Sequence, residues 1–175
     1  TWSPLRRWNI NEHSKVAVIG LGGLGHMALK LANALGAEVT LFTRSAGKEA
    51  DARRLGAHHV VLSTDDAQMK EVQNQFDLII DTVPYAHDIN AYVPTLTLDG
   101  TLVFVGLLGN VADFYTVPLI LGRRSVAGSC IGGIAETQEM LDFCAQHGIT
   151  ADVEVITIDT INEAFERMLK SDVKY

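Results

Sequence analysis

The central feature of this sequence is the run Lys15-Val-Ala-Val-Ile-Gly20-Leu-Gly-Gly-Leu-Gly25-His-Met-Ala-Leu-Lys30. Its first residues are nearly all apolar, which is typical of a central parallel strand that is buried on both faces. Glycines follow, and after them apolar residues recur at the spacing of an amphipathic helix. Such glycines let the backbone approach a pyrophosphate, and the helix start offers unpaired N–H groups. The run therefore predicts a phosphate-binding turn between a strand and a helix, although any α/β protein can carry a glycine-rich turn.

Strands and helices alternate along the rest of the chain. Sheet strands are predicted at 15–20, 38–43, 58–62, 76–81, 100–106 and 125–129, with a further strand at 153–158. Helices are predicted at 24–35, 46–55, 65–73 (capped by Asp65 or Asp66), 88–93 and 135–147, and the last helix starts with the capping-box pattern Thr160-Ile-Asn-Glu163. The alternation predicts an α/β fold, a Rossmann-type, doubly wound, mostly parallel six-stranded sheet with helices on both faces. Ligands bind such sheets beside the carboxyl ends of the strands.

The composition narrows the class of protein. With 175 residues, 47% of them apolar, the chain is long enough to bury a full core. The net charge of −7, without a basic block, argues against nucleic-acid binding. No apolar run reaches the roughly 18 residues of a membrane span. The two cysteines, Cys130 and Cys144, form no CxxC pair, which indicates a reducing compartment, by default the cytoplasm. Cys144 lies on an apolar helix face and is predicted to be in the core.

The loop after the second strand indicates which dinucleotide would bind. An NAD-selective site usually has an acid there, which accepts a hydrogen bond from the ribose 2′-OH. Here the loop reads Thr43-Arg44-Ser45-Ala-Gly-Lys48, with no acid before Glu49. Arg44 and Lys48 can neutralise a 2′-phosphate, and the hydroxyls of Thr43 and Ser45 can donate to it. The loop therefore predicts NADP, the alternative being a solvated surface loop.

Three later loops are predicted to reach the same edge of the sheet, where a nicotinamide ring would extend. They are Asp81-Thr-Val83, Gly106-Leu107 and Ser129-Cys-Ile-Gly-Gly133. Their small residues and backbone groups suit a carboxamide, but without the glycine turn they would be ordinary turns. No catalytic or metal-ligating residue is predicted, since His58 and His59 point to opposite faces of a strand. Asp81 is predicted to be structural. For His26 three positions stay open: facing the ligand, packed inside the fold, or exposed to solvent.

In these residues the chain resembles the zinc-dependent medium-chain alcohol dehydrogenases, in particular the NADP-using cinnamyl alcohol dehydrogenase group. The resemblance runs essentially from end to end. The matching stretches are Ser3-Pro-Leu5, Val18–His26, Thr43-Arg-Ser45 with Lys48, Asp81-Thr-Val83, Gly128–Gly133, Glu136–Leu141 and Ile161–Met168. Two departures are Arg44, where relatives often have a small hydroxyl residue, and Cys130, where a methionine is common.

The resemblance implies a set of NADP contacts. They are Gly20, Gly22, Gly23, Leu24 and Gly25 in the glycine turn, Thr43, Arg44, Ser45 and Lys48 at the 2′-phosphate, and Thr82, Val83, Gly106, Ser129 and Ile131 on the nicotinamide side. It also implies hydride transfer with an alcohol or aldehyde, helped by a zinc ion whose ligands lie outside this chain in a GroES-like catalytic domain. Residues 1–14 would then lead in from that domain and 15–175 would form the dinucleotide-binding domain. The chain alone would be inactive.

Two other functions share a glycine turn of this kind. A regulatory nucleotide-sensing module would bind NAD(P) without any chemistry of its own. An S-adenosylmethionine methyltransferase generally needs an acid at the end of its second strand, and Arg44 argues against that class. The apolar residues of the sixth strand and of the loop at 107–115 suit either a homodimer contact, as in the family that the chain resembles, or the core.

Overall fold

Six parallel strands form one sheet in the computed structural model, which describes residues 1–111, 113–170 and 172–175. The strands are β1 (Lys15–Ile19), β2 (Glu38–Thr43), β3 (His59–Leu62), β4 (Phe76–Asp81), β5 (Leu96–Phe104) and β6 (Ser125–Gly128). Their order across the sheet is β3-β2-β1-β4-β5-β6. The predicted Rossmann-type fold is confirmed. The strand order reverses between β1 and β4, so the crevice that binds ligands in such sheets opens there.

Seven α-helices accompany the strands in the described part of the chain. They are α1 (Trp2–Arg7), α2 (Gly23–Ala34), α3 (Glu49–Arg54), α4 (Asp66–Glu71), α5 (Val117–Gly122), α6 (Ile134–His147) and α7 (Ile161–Leu169). Single turns of 3-10 helix occur at Ala46–Lys48, Val93–Thr95 and Ile158–Thr160. None of the helices among these residues is long and apolar enough to cross a membrane.

The core lies on both faces of the sheet because successive side chains of a strand point to opposite faces. Val16 and Val18 of β1 face one cluster, to which α1 contributes the fully buried Leu5. Ala17 and Ile19 face the other cluster, which is rich in aromatic rings. In that cluster the rings of Phe42 and Phe76, and of Phe42 and Tyr92, meet edge to face with centroids 5.5 and 5.2 Å apart. Cys144 is buried in the first cluster, as predicted.

The strand predicted at 153–158 is wrong. These residues are irregular and lead into the 3-10 turn at Ile158–Thr160. The side chain of Val155 is 92% exposed, and none of the described strands pairs with this segment. An apolar, β-branched run extends as a strand only where a neighbouring strand accepts its backbone hydrogen bonds.

Two predicted helix features also differ from the structure. The segment at 88–93 forms no α-helix: it is irregular at first, turns at 90–92 and runs into the 3-10 turn at Val93–Thr95. The Asp88 carboxylate accepts from the Asn90 N–H at 2.9 Å. Such local side-chain bonds compete with helical ones. The capping box at the start of α7 does not form, since the Thr160 hydroxyl donates to the carbonyl of Thr157 instead.

The N-cap of α4 offers a test of local stability. Asp65 Oδ1 accepts from the N–H groups of Ala67 and Gln68 at 2.9 and 3.3 Å, so Asp65 rather than Asp66 is the cap. We expect Asp65→Ala to lower the melting temperature by about 2–4 °C, and Asp66→Ala, one residue on, to change it less. The N–H groups of Gln68 and Ala67 lower the pKa of Asp65. The difference between wild type and Asp65→Ala is therefore present at neutral pH and shrinks as the pH falls through that lowered pKa. Equal melting temperatures for both variants at neutral pH would contradict the assignment of the cap.

Candidate functional site

The glycine turn joins β1 to α2 at the point where the strand order reverses. Gly20 has a φ of +91°, a left-handed conformation that favours glycine. At Gly25 a Cβ atom would lie 2.2 Å from the carbonyl oxygen of Gly20, so only glycine lets α2 pack against the turn. At Gly22 and Gly23, by contrast, a Cβ would meet no atom of the described chain within 4 Å. Gly20 and Gly25 therefore shape the turn, whereas Gly22 and Gly23 border open space.

That open space lies at the N-terminus of α2, a helix of 12 residues. Gly22 is its N-cap, and no side chain in the described residues caps it. The first N–H groups of a helix without a side-chain cap, together with the positive end of the helix dipole, are suited to an anion. The turn therefore fits the pyrophosphate of a dinucleotide in shape and in electrostatics.

Thr82 and His26 hold the turn from behind. The Thr82 hydroxyl donates to the carbonyl of Ile19 at 2.7 Å, and the residue is buried. His26 is also buried: its Nδ1 lies 3.3 Å from the Gly22 carbonyl and its Nε2 is 3.2 Å from the backbone N of Asp152. These partners require a neutral ring with the proton on Nδ1, and burial lowers the pKa of His26 accordingly. His26 therefore packs inside the fold and does not face the open space.

A cleft of about 410 Å³ opens beside the turn, at the ends of β1, β2 and β4. Six of the predicted contacts line it: Gly20, Thr43, Arg44, Ser45, Lys48 and Val83. Arg44 Nη2 donates to the Tyr85 hydroxyl at 2.8 Å, and Lys48 Nζ donates to the carbonyl of Leu21 at 3.3 Å. None of the described residues that line this cleft is acidic. The cleft is therefore basic as well as polar at the end of β2, which suits a phosphate group.

A second cleft, of about 460 Å³, lies on the other side of the turn. Four predicted contacts line it: Gly23, Leu24, Ser129 and Ile131. The remaining lining is largely apolar and includes Trp2, Met27, Leu31, Leu107 and Met140. Ile131 is 94% exposed and Leu107 is 87% exposed, so the mouth of this cleft is apolar and open. Leu107 and Tyr115 are therefore not in the core, and Ala112 of the same loop lies outside the described residues.

Four predicted contacts line neither cleft: Gly22, Gly25, Thr82 and Gly106. Gly22 borders the open space described above, and Gly25 and Thr82 support the turn from behind. At Gly106 a Cβ would lie 2.4 Å from the carbonyl oxygen of Val83, so this glycine lets the loop after β5 pack on the loop after β4. A direct ligand contact at each of these positions stays a prediction.

Sequence reasoning missed Tyr85 and His87, which line the first cleft. A signal was present, because both residues come within six positions of the end of β4, at the same edge of the sheet as Arg44. Asp81 itself is fully buried, and its Oδ1 accepts from the N–H of Val83 at 3.1 Å. This contact agrees with the structural role predicted for Asp81.

No metal site forms among the described residues, where no three His, Cys, Asp or Glu side chains lie close enough to hold an ion. His58 Nδ1 accepts from the N–H of Val39 at 3.0 Å, and His59 Nε2 lies 3.2 Å from a carboxylate oxygen of Glu38. The two histidines therefore have separate structural partners. The residues that the structure describes do not fit a catalytic zinc ion.

Fold and turn together define a Rossmann-type domain with its crevice at the switch point. The family described as zinc-binding dehydrogenase matches residues 23–146, and the chain belongs to that family. Among its relatives, the NADP-dependent alcohol dehydrogenase C 1 of Mycolicibacterium smegmatis is 51% identical over 175 residues, which are 100% of this chain and 50% of the relative. The chain spans about half the length of the curated relatives it matches.

Solved structures agree with this assignment. A cinnamyl alcohol dehydrogenase from Sorghum bicolor superposes with a TM-score of 0.96 at 41% identity, over 99% of this chain and 50% of that one. The CAD from Helicobacter pylori, solved in complex with NADP(H), superposes with a TM-score of 0.87 at 38% identity, over 99% of this chain and 49% of that one.

Proposed function

We propose that this chain binds NADP(H) and serves as the cofactor-binding domain of a zinc-dependent alcohol or aldehyde oxidoreductase. The observation that carries the proposal is the basic cleft at the end of β2, where Arg44 and Lys48 stand and no lining residue among those described is acidic. Relatives named NADP-dependent alcohol dehydrogenase, and the CAD structure solved with NADP(H), support the same cofactor. An acidic residue in this place would repel a 2′-phosphate, whereas an arginine can bind it through two parallel hydrogen bonds.

The proposed placement follows the two clefts. The pyrophosphate lies on the glycine turn against the N-terminus of α2, with Gly22, Gly23 and Leu24 nearest to it. The adenosine end occupies the first cleft, with its 2′-phosphate between Thr43, Arg44, Ser45 and Lys48. The nicotinamide end passes Val83 of the first cleft and Gly106, and it extends into the second cleft, where Ser129 and Ile131 border it.

NADP(H), when bound, supplies the hydride that moves between its nicotinamide ring and the carbon of an alcohol or aldehyde. The residues of this chain hold the ring in place, and the apolar lining of the second cleft excludes water from one of its faces. The catalytic zinc ion and its ligands belong, in this proposal, to a catalytic domain outside this chain, so the chain alone is inactive. The exposed apolar residues near Leu107, together with the half-buried Val126 and Ala127 of β6, serve a homodimer, and the absence of a CxxC pair suits the cytoplasm.

The test is a fluorescence titration of the purified protein with NADPH and with NADH. We expect NADPH to bind about 10- to 100-fold more tightly, because only NADPH offers a 2′-phosphate to Arg44 and Lys48. Adenosine 2′,5′-bisphosphate should displace NADPH more effectively than AMP does. Equal affinities for the two dinucleotides would contradict the 2′-phosphate assignment, and no binding of either would contradict the proposed function.

A further inference from the structure

A buried acid and a histidine meet behind the first cleft. Asp81, at the end of β4, is fully buried, and its Oδ2 lies 3.1 Å from His87 Nε2. The contact does not have the geometry of a hydrogen bond, and neither of these buried atoms has a hydrogen-bond partner in the described chain. The other ring nitrogen of His87, Nδ1, lies 3.0 Å from the backbone carbonyl of Tyr85. The imidazole is therefore held between a carbonyl oxygen and a carboxylate oxygen.

Counting protons shows what this arrangement requires. A carbonyl oxygen can only accept, so Nδ1 must carry a proton. Nε2 then faces the carboxylate, and a neutral ring with ionised Asp81 would place a lone pair against a buried negative charge. One further proton removes this conflict, whether it is on Nε2 or on Asp81 Oδ2. Burial raises the pKa of Asp81, which favours retention of the proton.

The pair contacts the loop that follows β4 at two points. Asp81 Oδ1 accepts from the N–H of Val83, and His87 binds the carbonyl of Tyr85, so the loop is anchored at two points. The Tyr85 hydroxyl in turn accepts from Arg44 Nη2 at 2.8 Å, and the guanidinium lies 5.7 Å from the Tyr85 ring centroid. A chain of contacts thus runs from His87 through Tyr85 to Arg44.

We propose that His87 is a positioning residue of the cofactor cleft, and that it acts through one proton that it shares with buried Asp81. With the proton in place, the loop from Val83 to His87 is fixed and Arg44 is aimed across the first cleft. This inference rests on the proposed function only in so far as the cleft binds a dinucleotide.

Other titratable and charged groups surround the pair. The ring of Tyr92 packs edge to face on His87 with centroids 6.0 Å apart, and burial raises the pKa of Tyr92. Arg44, Asp88 and Asp81 are the charged groups that act on Tyr92. Arg44 is held by Tyr85, and the carboxylate of Asp88 accepts from Asn90. The remaining cation of this cleft, Lys48, donates to the carbonyl of Leu21. Because these charged groups are bound to other partners, we infer that the shared proton balances the charge of the Asp81–His87 pair.

The sign of the pH dependence follows from this proton. In the folded chain, loss of the shared proton would leave the Nε2 lone pair against the buried carboxylate, and burial raises the pKa of Asp81. The solvated side chains of the unfolded chain have no such conflict, so the folded pair holds its proton more tightly. The folded state then binds more protons than the unfolded state, so the free energy of unfolding falls as the pH rises through the pKa of the folded pair. The anchored loop loosens over the same pH range, and the affinity for the dinucleotide falls with it.

The test compares wild type with Asp81→Asn. The side-chain amide of this variant can donate to His87 Nε2 while its oxygen still accepts from Val83, so both hydrogen bonds form without the extra proton. Dissociation constants for NADPH are measured from about pH 7 to about pH 9, where the 2′-phosphate is already dianionic. We expect wild-type affinity to fall about tenfold over this range and Asp81→Asn to change less than about twofold. His87→Ala, which leaves the carboxylate without its partner, should bind weakly throughout.

Two further measurements do not depend on the cofactor. Without ligand, the melting temperature of wild type should fall with rising pH more steeply than that of Asp81→Asn. In wild type at about pH 7, the ¹⁵N shift of His87 Nε2 should be that of a nitrogen that carries a proton or accepts a hydrogen bond from the Asp81 carboxyl group. Parallel pH profiles for wild type and Asp81→Asn, or a free Nε2 lone pair, would overturn the proposal. If wild type binds no dinucleotide, the proposed function fails, while the melting and NMR measurements still test the pair.

Discussion

Gly25→Ala is expected to destabilise the protein more than an alanine substitution at any other glycine of the turn. The added Cβ would lie 2.2 Å from the Gly20 carbonyl oxygen and 3.0 Å from its carbon, and both of these are backbone atoms. The turn itself is held by the Thr82 hydroxyl and by the N–H of Gly20, which donates to the carbonyl of Phe42. No flexible side chain can give way, so α2 must shift away from the sheet.

The expected cost of this overpacking is about 1–3 kcal/mol or more. For a chain of this size, each kcal/mol lowers the melting temperature by about 2–4 °C, which thermal denaturation followed by circular dichroism resolves easily. Cofactor affinity should fall as well, because the start of α2 moves with the helix.

Gly22→Ala is the matched control, because it adds the same methyl group where a Cβ would meet nothing within 4 Å. Its φ of −135° is one that alanine adopts without strain. We expect its melting temperature to stay within about 2 °C of wild type and its affinity for NADPH to fall at least about tenfold, since the methyl group occupies the proposed phosphate space. A Gly25→Ala protein that melts like wild type would contradict the packing argument. A Gly22→Ala protein that binds normally would place the phosphate elsewhere.

Arg44→Asp is expected to remove the preference for NADPH. The substitution deletes a charge-assisted hydrogen bond of about 1.5–3 kcal/mol and puts a negative charge beside the 2′-phosphate. NADPH affinity should therefore fall about 100-fold or more, while NADH affinity should change less than about threefold, because an acid at this place can accept from a ribose 2′-OH. Fluorescence titration with both cofactors measures the two effects separately.

Lys70→Asp makes the same change of charge on the exposed surface of α4 and serves as the control. It should leave the ratio of the two affinities close to that of wild type, because Lys70 lines neither cleft and charges in solvent are screened by salt. An unchanged NADPH preference in Arg44→Asp would mean that Arg44 faces solvent in the complex. A loss of preference in Lys70→Asp as well would point to the net charge of the protein.

The sequence predicts the sheet well because its strands are buried on both faces. Four of the five residues of β1 and four of the six of β4 are apolar, and the two runs end at Gly20 and Asp81, which mark the strand ends. The segment at 153–158 has a similar apolar pattern but no strand beside it in the described chain. Whether an apolar run becomes a strand depends on a neighbour, and a local pattern does not contain that information.

The residues of the candidate site, too, could be predicted from the sequence only in part. Glycines and the basic residues after β2 are visible in the sequence, because their spacing from a strand end places them at one edge of the sheet. Tyr85 and His87 act through contacts with Arg44 and Asp81, and the alternation of strands does not specify such side-chain pairings. Thr82 is predicted on the nicotinamide side, and the sequence does not show that its hydroxyl donates to the carbonyl of Ile19 under the turn.

The strand order also determines at which stage of folding the first cleft forms. Its two walls follow β2 and β4, and they face each other only after Val16 of β1 has paired with both Val39 and Leu78. The second pairing closes a loop of about 60 residues, and long-range contacts of this kind form slowly. A bound dinucleotide therefore adds its binding energy after this pairing has formed. We accordingly expect the cofactor to slow the unfolding of the protein while leaving the rate of folding nearly unchanged.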